Sequence, residues 1–230
     1  VEVREGARTS RMRTLLLSCG IAYGPIYVIT NDVVAALGYD GYSRMDQAVS
    51  ELSAISAPPR TFLLLMLPVF TALMVAFGVG VWRSAFGSRA LRVTGGALVA
   101  FGITGLLWLP FPMSAREDIV GSPTMSANDV GHLVLSGLTG LLIVTMCVAG
   151  ATHFGRGFRI YTALTVTAVL LFSGVLTGIQ STKLPDGDPT PLLGLYERIG
   201  IGAWLLWMAV LAVMLIRGPH EPAPRGNPAA

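Results

Sequence analysis

Residues 61–82 read TFLLLMLPVFTALMVAFGVGVW, and no charged side chain interrupts them. A helix crossing the hydrocarbon core of a bilayer needs about 20 mostly apolar residues. A lipid-facing strand would need apolar and polar residues in alternation, which this run lacks. The stretch therefore reads as a membrane-spanning helix. Working outward from it, residues 15–36, 93–110, 129–151, 161–181 and 197–216 read the same way. The whole chain agrees: 53% of its 230 residues are hydrophobic and 13% charged, against about 25% charged in soluble domains. The expected fold class is all-α, a six-transmembrane-helix bundle, with residues 1–218 as a single polytopic membrane domain. Residues 219–230, rich in Pro, Gly and Ala, read as a disordered cytoplasmic tail.

Basic residues assign the orientation, because Lys and Arg concentrate on the cytoplasmic side of short loops. Arg4, Arg8, Arg11 and Arg13 precede the first span; Arg83, Arg89 and Arg92 lie between the second and third. Arg156 and Arg159 lie between the fourth and fifth, and Arg217 and Arg225 follow the sixth. Six spans put all of these on one side and leave Arg44, Arg60, Arg116, Lys183 and Arg198 on the other. Both termini are therefore expected in the cytoplasm; the Ala/Gly/Arg/Val-heavy composition suits a GC-rich bacterium, and a bacterial inner membrane is the expected location. The first run is long enough to span and ends in no clear cleavage site, so it reads as a helix rather than a removed signal. The arginines are scattered rather than clustered with aromatics, which excludes nucleic acid as a partner. Cys19 and Cys147 lie in apolar runs without the spacing of a zinc site; no metal and no cofactor are expected.

Residues 38–60, GYDGYSRMDQAVSELSAISAPPR, place Met45, Val49, Leu52 and Ile55 at helical spacing. A short amphipathic outer helix between the first and second spans is expected, on the surface or folded back as a lid.

An ionisable group inside a span is costly and is a functional candidate by default. In the first span Tyr23, Tyr27 and Asn31 recur every four residues and share a face, with Asp32 adjacent and Pro25 between the tyrosines. An aromatic packing stripe and a substrate-facing stripe both fit this pattern. Asp129 and His132 open the fourth span on one face. The Ser/Asn/Asp run before Asp129 also fits a helix cap, whereas His132 can take or give a proton near neutrality. Glu197 and Arg198 open the sixth span, and one of them can turn inward to pair with Asp32, Asp129 or Glu51. Gln180 and Trp108 complete a ring of polar and aromatic groups at the outer ends of the helices. The candidate catalytic residues are Asp129, His132, Glu51, Asp32 and Glu197. The candidate substrate-binding residues are Tyr23, Tyr27, Asn31, Trp108, Gln180 and Arg198.

The segments CGIAYGPIY, GYSRMDQAVSEL, WLPFPMSARED and GLYERIGIGAWLLW together resemble a large prokaryotic family, domain of unknown function nine-nine-eight, over nearly the whole chain. The resemblance implies a six-helix membrane protein without a known reaction. It places emphasis on Ser50, Glu51, His132, Glu197 and Arg198, which lie in the matching segments. The acid that usually follows the proline of the third loop is displaced here, Asp118 standing well after Pro112.

Carboxylic acids, one histidine and aromatic walls in a water-poor site suit acid-base work on a lipophilic isoprenoid or lipid, proton-initiated terpenoid cyclisation being one form. A serine hydrolase lacks its GxSxG elbow. A transporter or a non-catalytic membrane subunit are the alternatives; the nearly all-apolar cytoplasmic half argues against the transporter. The bilayer and a lipophilic small molecule are the expected partners.

Overall fold

The charge-free runs become six long helices in the computed structural model, which describes residues 2–218, with side chains described from residue 10 onward. The expected tail at 219–230 lies outside the described residues. Helix α1 runs Glu2–Val28 and continues as a wider π-helical turn through Ile29–Ala35. Helices α2 (Arg60–Arg83), α3 (Arg89–Thr104, extended by a 3-10 turn Gly105–Trp108) and α4 (Ala127–His153) follow. Helix α5 is Arg156–Ala168, a π-helical stretch Val169–Leu176 and a last turn Thr177–Ser181; α6 is Leu193–Arg217. All six are long and apolar enough to cross a membrane. Helix α1 starts thirteen residues before its expected span, and the other five extend past theirs by up to five residues. The backbone has no reason to stop helical bonding where hydropathy drops.

Each helix packs on its sequence neighbours, and α6 closes the ring on α1. Glycines permit the closest approach. A Cβ on Gly78 would stand 2.8 Å from the Gly95 carbonyl, and one on Gly95 would meet Trp82 of α2, so α2 and α3 touch backbone to backbone. Gly200 of α6 gives similar access to Ser173 of α5.

The bundle differs between its two ends. Toward the arginine-rich loops the centre is solid: Leu17, Phe77, Trp207, Met208 and Leu211 are fully buried. Arg13 is buried there too, donating to Ser84 Oγ at 2.8 Å and to the Leu215 carbonyl at 2.6 Å. That places a cation on the unpaired carbonyls at the end of α6. Toward the other end, here the lid end, the helices separate around a cavity. Helices α4 and α5 are joined by the short turn at Phe154 and Gly155 and pack together along the Arg156–Ala168 half of α5. The π-helical half of α5 packs instead on α6.

The amphipathic helix expected across Met45–Ile55 shrinks to one 3-10 turn, Val49–Ser53. Val49 and Leu52 point inward and are buried, while Met45 and Ile55 are exposed. The cause is polar: Glu51 bends back to accept from the Ala48 N–H at 2.9 Å and from Gln47 Nε2 at 3.0 Å. Met45 is drawn into a backbone bond with Leu195. The segment is thus pinned across the bundle end as a lid.

Candidate functional site

The cavity under the lid has a volume of about 1480 Å³, above the 300–1,000 Å³ common for drug-sized ligands. Its walls come from all six helices, and they are mostly apolar and aromatic. On the α4 and α5 faces Gly137, Gly140 and Gly178 line it, with no atom within 4 Å of where a Cβ would stand. The Gly137–Gly140 pair therefore widens the cleft rather than closing a helix contact.

The floor is built by α1, α2, α3 and α6. Tyr23 lies 6.2 Å from Tyr27 and 6.2 Å from Trp204, ring centre to ring centre. Phe70 is 5.5 Å from Tyr23, and Phe101 is 4.7 Å from Trp204. Four-residue spacing on α1 brings the tyrosines together, and Asn31 continues the stripe into the same cavity. Pro25 cannot donate a backbone bond, and α1 widens four residues later, from Ile29. In the wider turn the Ala36 N–H reaches the Asn31 carbonyl, and Asn31 Nδ2 donates to the Tyr27 carbonyl at 3.0 Å.

Glu197 of α6 also lines the cavity. Its Oε2 accepts from the Val49 N–H of the lid at 2.6 Å, and its Oε1 has no hydrogen-bond partner among the described residues. Lid and cavity therefore share this carboxyl group.

At the mouth, His132 Nδ1 lies 3.2 Å from the Phe111 carbonyl and its ring 4.6 Å from that of Trp108. A carbonyl only accepts, so in the neutral ring Nδ1 carries the proton and Nε2 is left as an acceptor. Asp129, one turn earlier, is saturated: it accepts from Ser114 N–H at 2.8 Å, Ser114 Oγ at 2.7 Å and Ser126 Oγ at 2.6 Å. Ser126 in turn caps α4 through the Asp129 N–H. Asp129 lines the cavity but ties down the loop before α4, whereas His132 and Glu197 each keep one atom unbonded, and the exposed Asp118 also lines the cavity.

Asp32, Glu51 and Arg198 lie off the cavity wall and fasten the lid. Arg198 Nε donates to Asp32 Oδ1 at 2.6 Å, Nη2 to Tyr42 Oη at 2.8 Å, and Nη1 to the Arg44 carbonyl at 2.9 Å. Glu51, only 3% exposed, receives a two-pronged bond from Arg116, at 2.7 Å and 2.9 Å. Arg116 reaches on to Thr190 Oγ1 at 3.0 Å, which joins the loops before α2, α4 and α6. The Glu51 carboxylate raises the already high pKa of Arg116, so its charge is permanent. Burial pushes the Tyr42 hydroxyl up to about 12, although the bond from Arg198 pulls it back. Gln180 likewise lies off the wall, and its Oε1 is buried without a partner. Among the described residues, no group of three or more His, Cys, Asp or Glu side chains could hold a metal ion.

Sequence reasoning missed Arg116 as Glu51's partner, and Ser173, Phe70, Phe101 and Trp204 as cavity residues. Ser173, the one polar residue of VLLFSGVL, carried a signal: its hydroxyl donates to the Glu197 carbonyl at 3.0 Å. Arg116 sits 65 residues from Glu51 in the chain, and nothing local marks the pairing.

Six long apolar helices around an internal cavity define a polytopic helical membrane protein. The family model described as Protein of unknown function (DUF998) matches residues 21–214, and the chain belongs to this prokaryotic membrane family. The match takes in the cavity walls, the lid and both ion pairs. No curated protein and no solved structure matches the chain significantly.

Proposed function

We propose that this protein is an integral membrane enzyme that converts a lipophilic isoprenoid or lipid by acid-base chemistry inside the cavity, with Glu197 as the acid and His132 as the base. The observation that carries this reading is the pairing of a large aromatic-lined cavity with two protonatable groups that each keep one atom unbonded, Glu197 Oε1 and His132 Nε2. A carboxyl group in contact with a bound substrate can act as a general acid. The faces of Tyr23, Trp204 and Phe101 suit a developing positive charge. Proton-initiated cyclisation uses all of these parts: a proton is added to the substrate, a ring bond forms, and a second proton leaves to the base, with no net change in composition. Substrate reaches the cavity from the bilayer between the diverging halves of α4 and α5. The arginine-rich loops and both termini face the cytoplasm of a bacterial inner membrane, following the basic-residue bias.

The test compares lipid extracts of cells carrying the wild type, Glu197→Gln or His132→Gln at matched membrane levels. A lipophile that changes with the wild type and reverts in both variants supports the reading. Identical extracts from folded wild type and both variants refute it, and leave the non-catalytic alternative.

A further inference from the structure

The cavity floor holds polar atoms that the protein itself does not satisfy. The indole N–H of Trp204 is buried without an acceptor. The hydroxyls of Tyr23 and Tyr27 and Oε1 of Glu197 have no hydrogen bond among the described residues. All four side chains line the same cavity, and the rings of Tyr23, Tyr27 and Trp204 are in contact. Buried polar groups left unpaired cost free energy, and native proteins leave few of them. The Trp204 N–H is such a buried group, and with the three unbonded oxygens that line the cavity beside it it marks a place where hydrogen bonds are completed by something bound.

From these atoms we infer that the floor is a subsite for an uncharged oxygen function, a hydroxyl or carbonyl, at the end of the lipophile. This rests on the lipophilic-substrate reading above and narrows it. An indole N–H can only donate and a tyrosine hydroxyl can do either, so the bound atom must accept. A bare hydrocarbon end would leave all four atoms unpaired. A phosphate or diphosphate end is disfavoured by charge. Glu197 is the one carboxyl of the floor, Asp118 and Asp129 add carboxylates elsewhere on the cavity wall, and Arg60 on that wall is engaged by the Ser53 carbonyl; the nearby Arg198 is off the wall with its guanidinium engaged by Asp32, Tyr42 and backbone carbonyls. The flat rings around the polar atoms accommodate a planar or allylic end group, while the glycine-lined cleft between α4 and α5 takes the chain.

The experiment uses the full chain in phosphatidylcholine nanodiscs, with empty nanodiscs as the partition control. Three probes share one chain: farnesol, the hydrocarbon farnesene and farnesyl diphosphate. One hydrogen bond to a neutral acceptor corresponds to about a threefold to tenfold gain in affinity. Farnesol is expected to bind tighter than farnesene by at least that factor. Tyr27→Phe and Trp204→Phe should each shrink the gap while leaving farnesene unchanged. Tyr27→Phe keeps its ring, so it carries the test if Trp204→Phe fails to fold. Equal binding of farnesol and farnesene, or variants that weaken both alike, overturns the oxygen subsite and leaves the lipophilic cavity standing. Tightest binding by the diphosphate overturns it through the charge argument. Binding of none of the three refutes the lipophilic reading and the subsite with it.

Discussion

Replacing Arg116 with Met should loosen the lid and expose a measurable coupling to Glu51. The pair is two-pronged, at 2.7 Å and 2.9 Å, and the Glu51 side chain is 3% exposed while that of Arg116 is 27% exposed. Removing one partner of a fully buried pair costs about 3–5 kcal/mol, mostly because the other charge stays buried. Water can reach the Arg116 side, and Glu51 keeps its bonds from Gln47 and Ala48, so the expected loss is about 2 kcal/mol. Glu51→Gln should cost about 1 kcal/mol, since an amide can keep one of the accepted bonds. The double variant should be no less stable than Arg116→Met alone, because its stranded charge is gone. Unfolding of the four proteins in detergent mixtures, followed by tryptophan fluorescence, gives the cycle. Costs that add within about 0.5 kcal/mol would mean the two side chains do not act together, and the fastening of the lid by this pair would be refuted.

Four further outcomes follow. Gly194→Ala should be destabilising by at least about 2 kcal/mol, because its Cβ would overlap the Gln47 and Arg44 carbonyls of the lid; an unchanged melting temperature would contradict the close approach. Gly78→Ala should weaken the α2–α3 contact by a similar amount, its Cβ falling 2.8 Å from the Gly95 carbonyl, and thermal denaturation in detergent reads it. Tyr42 carries a folded pKa raised to about 12 above an unfolded value near 10. Its contribution is therefore full below pH 10 and is lost as pH climbs through 12; Tyr42→Phe should flatten that alkaline loss in a stability-versus-pH series. Glu197→Leu should lose both stability, through the Val49 N–H it leaves unpaired, and conversion of the substrate. Glu197→Gln should lose conversion while staying folded, which separates the two roles.

The spans were legible because a bilayer demands long uncharged runs, and hydropathy reports that demand directly. The stripe of Tyr23, Tyr27 and Asn31 was legible because helical spacing alone puts residues four apart on one face. Pairing Arg198 with an acid of another segment was foreseen as one of several choices, and geometry selects Asp32. The lid was less legible. Apolar spacing over Met45–Ile55 suggested a regular helix, but the carboxylate of Glu51 competes for the backbone and Arg116 for Glu51. Those competitions are set by loops far apart in the chain. The π-helical stretches in α1 and α5 leave no mark in hydropathy, since an extra residue in a turn barely alters an apolar run. They matter because they rotate Asn31 and Ser173 relative to the turns before them, and both residues line the cavity.

The solid half of the bundle has an electrical consequence. Leu17, Phe77, Trp207, Met208 and Leu211 exclude water from the centre, so with the helices across a bilayer most of a transmembrane voltage falls over that plug. On the proposed acid-base reading, protons reaching Glu197 or His132 would come from the lid side without crossing the field. Chemistry in the cavity should therefore follow the pH of the lid-side compartment and ignore both the membrane potential and the pH at the arginine-rich face. In proteoliposomes the protein would act as a one-sided electrode, sensing a single bulk phase.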